Sequence, residues 1–336
     1  MVPHPNASNP SQSRRGRRAT SPRRIPAAGW RDIIWRTWLE VGRDRLPDVA
    51  GSVTYYTLLA IIPGLAAFIS LYGLVADVHT VEAQLVELSA ILPASVVNLL
   101  GQEMMRLAMG RPAGLTLAFA ASTLFSLWSA SASIRALCDG LNVAYNETET
   151  RSWLHRTALT YGLTVALVLF LALVSVLLVV TPLALGELGL RSALLVAARW
   201  LALFGLVVFA FCVAYRVGPS RRLARWRWVL PGGLVAALLW IAGSGGLSWY
   251  VNHIAKLDVT YGSLGTVIAF MLWIWFSVLA VLVGAELNAE IEHQTARDST
   301  VGPARPLGMR GAVVADTIGW RHDHPLTRLL RKLGIS

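Results

Sequence analysis

Residues 259–285 read VTYGSLGTVIAFMLWIWFSVLAVLVGA, a run with no charged side chain. As a helix rising 1.5 Å per residue it is long enough to cross the roughly 30 Å hydrocarbon core of a bilayer. Working outward, similar charge-free runs occupy Val53 to Ala76, Pro112 to Ile134, Thr157 to Gly186, Trp200 to Tyr215 and Trp228 to Asn252. The run from Trp200 is short, and counts as a span only if it begins near Ser192 with Arg199 snorkelling to the outer interface. The expected fold is therefore all-α: a polytopic membrane protein with about six transmembrane helices. Composition agrees, because 55% of the 336 residues are hydrophobic and only 15% are charged. A soluble domain, with about a quarter of its residues charged, would have more polar surface than this chain can supply.

Charge placement predicts the orientation. Segments rich in Lys and Arg stay on the cytoplasmic side of a membrane. Of the 30 basic residues, 25 fall in the N-terminal segment to Ser52, the loop after the second run, the loop Arg216 to Arg227 and the C-terminal segment. The alternate segments hold the other five. Both termini are thus expected in the cytoplasm. No cleavable signal peptide is read, since the first apolar run starts beyond residue 50 and is too long for the apolar stretch of one.

Three regions are expected: a disordered basic tail at 1–28, a membrane domain at 29–292 and a cytoplasmic tail at 293–336. The first is rich in Pro, Ser and Arg and poor in large apolar side chains, too poor to offset the entropy of ordering. Its six arginines suit attraction to anionic headgroups, and lack the interleaved aromatic residues of a base-stacking surface. Membrane lipids are the expected partner, with no specific nucleic acid. Trp30, Ile33, Ile34, Trp35, Trp38 and Val41 recur at helical spacing among Arg31, Asp32, Arg36, Glu40 and Arg43, predicting an amphipathic helix along the inner membrane surface. Between the first two spans, Val81, Leu85, Leu88, Ile91 and Leu92 form a stripe that predicts amphipathic helices over the outer face.

Chemistry-bearing patterns are sparse. No Gly-rich loop ends in Gly-Lys-Ser or Gly-Lys-Thr, the seven histidines form no HExxH, and Cys138 and Cys212 stand alone, most simply as packed thiols. No enzyme, cofactor or metal site is expected. Ser122, Ser126, Ser129 and Ser133 line one face of the second span, either for close helix packing or as the polar wall of a path. Gly243, Gly245 and Gly246 mark a hinge or a close helix contact. At the cytoplasmic helix ends, Asp48, Arg135, Asp139, Asn142, Glu286, Asn288 and Glu290 could converge, with Arg135 pairing Asp139 four residues on or reaching Asp48 or Glu286. Such a network would be a gate, a headgroup site or a structural latch.

Blocks along residues 35–290 resemble the YihY/BrkB family of bacterial inner-membrane proteins. They include Tyr55-Tyr56, Leu127-Trp128-Ser129-Ala130, Leu141-Asn142, Tyr215-Arg216, Pro231-Gly232, Tyr261-Gly262-Ser263-Leu264-Gly265 and Gly284 to Glu290. The resemblance implies the six-helix fold and the inner membrane, in a family without a settled activity that has carried a ribonuclease label. That label finds no support in this sequence, whose soluble parts hold no set of carboxylates or histidines for phosphodiester hydrolysis. Two readings remain: a transporter or lipid translocase for an anionic or amphipathic envelope component, and a non-transporting scaffold or assembly factor. A cavity lined by Ser126, Ser129, Arg135, Glu286 and Tyr261 would favour transport; a solid bundle would favour scaffolding.

Overall fold

The computed structural model describes residues 15–72, 117–180, 193–255 and 264–320. A 3-10 turn, Pro22–Arg24, leads into α1 (Ala27–Arg43) and α2 (Leu46–Tyr72). Next come α3 (Leu117–Ala144) and α4 (Trp153–Ser175), the latter ending in a π turn, Val176–Val180. Then α5 (Ala193–Val217) and α6 (Trp226–Tyr250, with a π turn Val251–Ala255) precede α7 (Leu264–His293) and the short α8 (Val313–Asp316). Among the described residues the strand content is one bridge between Ala224 and Thr300.

Among the described residues four helical stretches are long and apolar enough to cross a membrane: Trp153–Leu178, Leu195–Val217, Trp226–Ala255 and Leu264–His293. The expected second crossing starts before α3, and the first ends after α2, both in residues outside the described set. The expected outer helices at 77–111 also lie outside the described residues.

Helix α7 is the axis of the bundle, contacting α1, α2, α3, α6 and α8, while α4 leans mainly on α3 and α5 on α6. Small residues let the axis close on its neighbours, as they must where lipid supplies no hydrophobic drive between helices. A Cβ on Gly232 of α6 would lie 2.0 Å from the Gly284 carbonyl oxygen of α7, and one on Gly243 would lie 1.6 Å from the Phe276 ring. Gly243 is therefore a packing residue, while Gly245 and Gly246 face open space. Beside the Gly243 contact, Trp240 Nε1 donates to Ser277 Oγ and Trp273 Nε1 to Ser244 Oγ, both at 3.0 Å. Interhelical bonds of this kind contribute about 0.6 kcal/mol each in a membrane. The buried core gathers at the end of the bundle that carries residues 15–28 and 294–320, around Leu46, Leu141, Tyr145, Tyr215, Leu282 and Ala285.

That end, here the basic face, differs from expectation in two ways. Residues 15–28, expected to be disordered, are packed: Ala19 and Ile25 are buried, and Arg17 donates to the carbonyls of His293 (3.1 Å) and Gly319 (2.6 Å). Their arginines find buried acceptors, which supplies what the segment lacks in apolar surface. The expected C-terminal tail likewise folds over the face through residue 320, with Asp316 accepting the N–H groups of Gly308, Arg310 and Gly311. Helix α1 exposes Ile34, Trp35 and Trp38, but its other face buries Asp32, Ile33 and Arg36 against the protein. Arg15 pairs with Asp32 at 2.7 Å and Arg36 with Glu290, so two residues assigned to the polar, outward side are instead the inward anchors.

Candidate functional site

A cavity of about 640 Å³ lies between the α3/α4 side and the α5/α6 side, with α7 behind it. Its walls are apolar: Leu163, Leu167 and Phe170 from α4, Leu206, Val207 and Phe211 from α5, Ile134 and Leu141 from α3, and Phe270, Ile274 and Val278 from α7. The size is that of a small-molecule pocket, with far fewer polar groups than a water-filled path requires. Helices α4 and α5 close it incompletely. At the far end they meet through Leu178 and Leu203, with Arg199 donating to the Leu178 carbonyl (3.2 Å). At the basic face Arg151 donates to the Gly218 carbonyl (2.7 Å) and Thr150 bonds Ser220. Between these ties Leu169 and Phe209 line the cavity and are 63% and 56% exposed, which marks a lateral window.

Beneath the cavity, toward the basic face, the short loops are fixed by polar side chains. Asn142 Oδ1 accepts the Ser220 N–H at 2.7 Å, joining the α3 end to the α5 exit. Glu149 takes Arg151 at 2.9 Å; burial alone would raise its carboxyl, but hydrogen bonds from Arg151 and Ser220 hold it down at about 2. Arg221 is fully buried over the Tyr145 ring and pairs with buried Glu292 at 2.6 Å, while Ser299 Oγ donates to the same carboxylate. Burial works against the Arg221 charge, yet Glu292 and its neighbours leave its pKa above the usual value. Burial, with Arg36 nearby, lowers Arg17 to about 10.

Asn288 answers the proline inside α6. Pro231 removes a backbone donor and pushes the helix off its regular bonding. Asn288 Oδ1 accepts the Gly232 N–H (2.8 Å), and its Nδ2 donates to the Val229 carbonyl (3.0 Å).

The other sequence-selected residues scatter. Asp48 is exposed and pairs with Arg45 at 2.6 Å. Arg135 does not hold Asp139, whose carboxylate is taken by Arg156 at 2.6 Å, because the loop after α3 turns α4 back alongside it. Nor does Arg135 reach Asp48 or Glu286; among the described residues it makes no hydrogen bond or ion pair, and it sits half-buried beside the cavity residue Ile134. Ser129 is half-buried, whereas Ser131, on the opposite side of the helix from the chosen face, is a fully buried residue and donates to the Trp128 carbonyl (2.6 Å). The side chain of Ser126 and the whole of Tyr261 lie outside the described residues. Glu286 is buried without a hydrogen-bond partner. Ser129, Arg135 and Glu286 are absent from the described cavity wall. Cys138 and Cys212 are free, buried thiols.

Sequence reasoning missed Arg36, Arg221 and Glu292. The signal for Arg36 was present in the spacing of Asp32, Ile33 and Arg36, which share a face with Gly29.

A family model described as Virulence factor BrkB matches residues 37–307. The chain belongs to the BrkB family. Among its relatives, YfkH of Bacillus subtilis (strain 168), whose name calls it ribonuclease-like, is 30% identical over 267 residues, covering 77% of this chain and 93% of YfkH. A UPF0761 membrane protein of Alkalilimnicola ehrlichii is 30% identical over 274 residues, 78% of this chain but 59% of that longer protein. Another, from Tolumonas auensis, is 28% identical over 258 residues, 76% of this chain and 83% of the relative. No solved structure matches the chain. The BrkB family resemblance now has a physical content: Pro231-Gly232, Gly284 to Glu290, Leu141-Asn142 and Tyr215 are the residues through which α3, α5, α6 and α7 lock together near the basic face. As for the ribonuclease-like name on YfkH, no three His, Cys, Asp or Glu side chains among the described residues are placed to hold a metal ion.

Proposed function

We propose that the protein is a lipid-handling transporter of the bacterial inner membrane, which takes an acyl chain of an anionic amphipathic lipid into the cavity through the window between α4 and α5. The carrying observation is the cavity itself: apolar, about 640 Å³, and open sideways between α4 and α5, two helices apolar enough to cross a membrane. A soluble polar solute would need polar groups along its way, whereas an acyl chain needs none. Arg135, half-buried beside the cavity and without a hydrogen bond or ion pair among the described residues, suits an anionic headgroup. In this reading α2 and α3 complete a six-span bundle, the basic face is cytoplasmic, and Trp35 and Trp38 of α1 rest at the interface.

The test reconstitutes the purified protein in liposomes with labelled anionic phospholipid and follows transbilayer movement. Wild type is expected to accelerate movement over protein-free vesicles. Ala210→Trp, which fills the cavity from α5, is expected to abolish the acceleration, and Arg135→Ala to reduce it selectively for anionic headgroups. No acceleration over a range of lipids by a folded sample would refute the transport reading and favour a scaffold.

A further inference from the structure

Four carboxylates gather where α1 passes the basic end of α7: Glu40 and Asp44 at the end of α1, and Glu286 and Glu290 on α7. Arginines answer two of them, since Arg36 holds Glu290 and Arg43 holds Glu40 at 2.6 Å. Glu286 receives none. Its side chain is fully buried, and neither carboxylate oxygen has a hydrogen-bond donor. The charges that act on it are Glu290, Asp44 and Glu40, all negative. A carboxylate in such a place is far more costly than the neutral acid. The lowest-energy occupant of the site is therefore a proton.

We propose that Glu286, buried without a hydrogen-bond donor in the end of α7 on which α1 packs, is a proton-binding site.

Asp44 is a second carboxylate at this end of the bundle that lacks a full set of partners. It is half-buried at the turn between α1 and α2, and its Oδ2 is also buried without a partner. Burial, then Glu40 and Glu290, push its carboxyl up to about 6 against the pull of Arg43. Charges on the other elements packed against α7 are committed elsewhere or make no contact with Glu286. Asp48 on α2 pairs with Arg45, and Asp316 on α8 accepts backbone N–H groups. His293 contacts Glu290 and Thr317. Arg135 and Asp139 on α3 and Arg227 on α6 make no hydrogen bond to it, and Arg216 on α5 lies over the Trp226 ring. Losing the proton would place a bare anion under α1, and withdrawal of α1 from α7 would admit water to it. Proton occupancy thereby controls the seating of α1 on α7. The site requires only the fold and stands whether or not the lipid reading holds.

Infrared difference spectroscopy of the full chain in nanodiscs tests it. The wild type is expected to show the carbonyl band of a buried protonated carboxylic acid at pH 7, lost on strong alkalinisation. Glu286→Gln, which keeps the shape of the neutral acid, is expected to lack that band while melting within a degree or two of wild type at pH 7. Asp44→Asn is expected to keep the band. Absence of the band in wild type at pH 7, or its persistence in Glu286→Gln, would overturn the proposal. So would a wild type that lacks the band and is stabilised by added sodium, which would make the site a cation site.

Discussion

Arg221 and Glu292 form an ion pair with no exposure on either side chain, so breaking one partner tests how the basic face is held. Arg221→Met keeps most of the side-chain volume but leaves Glu292 with the Ser299 hydroxyl as its remaining donor. Removing one member of a buried pair costs about 3–5 kcal/mol, because the other charge stays buried and uncompensated. Loss of the cation stacked 4.5 Å from the Tyr145 ring adds to that cost. At roughly 2 °C per kcal/mol for a large domain, Tm should fall by about 6–10 °C. The double variant Arg221→Met, Glu292→Gln removes both charges and should recover more than half of the loss, since the desolvation cost disappears with them. Thermal unfolding of all four proteins in the same detergent, at pH 7, completes the cycle. Additive losses in the double variant would refute the reasoning, and would mean that the two side chains contribute separately.

Asn288→Ala should cost about 2–5 kcal/mol, because it strands the Gly232 N–H and the Val229 carbonyl at the proline of α6; urea or thermal unfolding reads it, and a loss below 1 kcal/mol would contradict the patching role. Asp44 has a folded-state pKa raised to about 6 from 3.8, so its ionisation opposes folding above pH 6 and that penalty fades as pH falls toward 4. Asp44→Asn should therefore raise Tm at pH 7–8 and match wild type near pH 4, in a pH series of melts. Glu149 behaves oppositely: its folded value of about 2 lies below 4.5, so its stabilisation is complete above pH 4.5 and lost as pH falls toward 2. Glu149→Gln should be less stable than wild type at pH 7, with the gap closing below pH 4.5.

Hydropathy and charge made the apolar helices legible, because length without charge has one solution in lipid. The α4 to α7 helices fall where their runs lie, and the shortest run does gain its extra turn before Trp200. What stayed hidden depended on partners distant in sequence. Arg36 looked like surface until Glu290, 254 residues away, supplied its counter-charge. Residues 15–28 looked disordered because composition counts apolar side chains and is blind to carbonyls at the end of α7 that can receive guanidinium groups. The serine face was a pattern of spacing, whereas the cavity is a pattern of shape: Leu169 and Phe209 carry no signal that separates a cavity wall from any lipid-facing surface. Among the selected residues, Asn142, Glu286 and Asn288 do sit at meeting points of helices, and Asp48 does not.

The clasp in which Arg17 grips the His293 carbonyl joins positions 276 residues apart. During synthesis at roughly 5–20 residues per second, the segment around Arg17 emerges first and waits roughly 15–60 s before its acceptors exist. Throughout that interval its guanidinium groups are open to headgroups or to a chaperone. The clasp can form only when α7 has been delivered, so its closure reports that the axis of the bundle is in place. A nascent chain stalled before α7 would keep a protease-sensitive N-terminal arm, and a completed one would not.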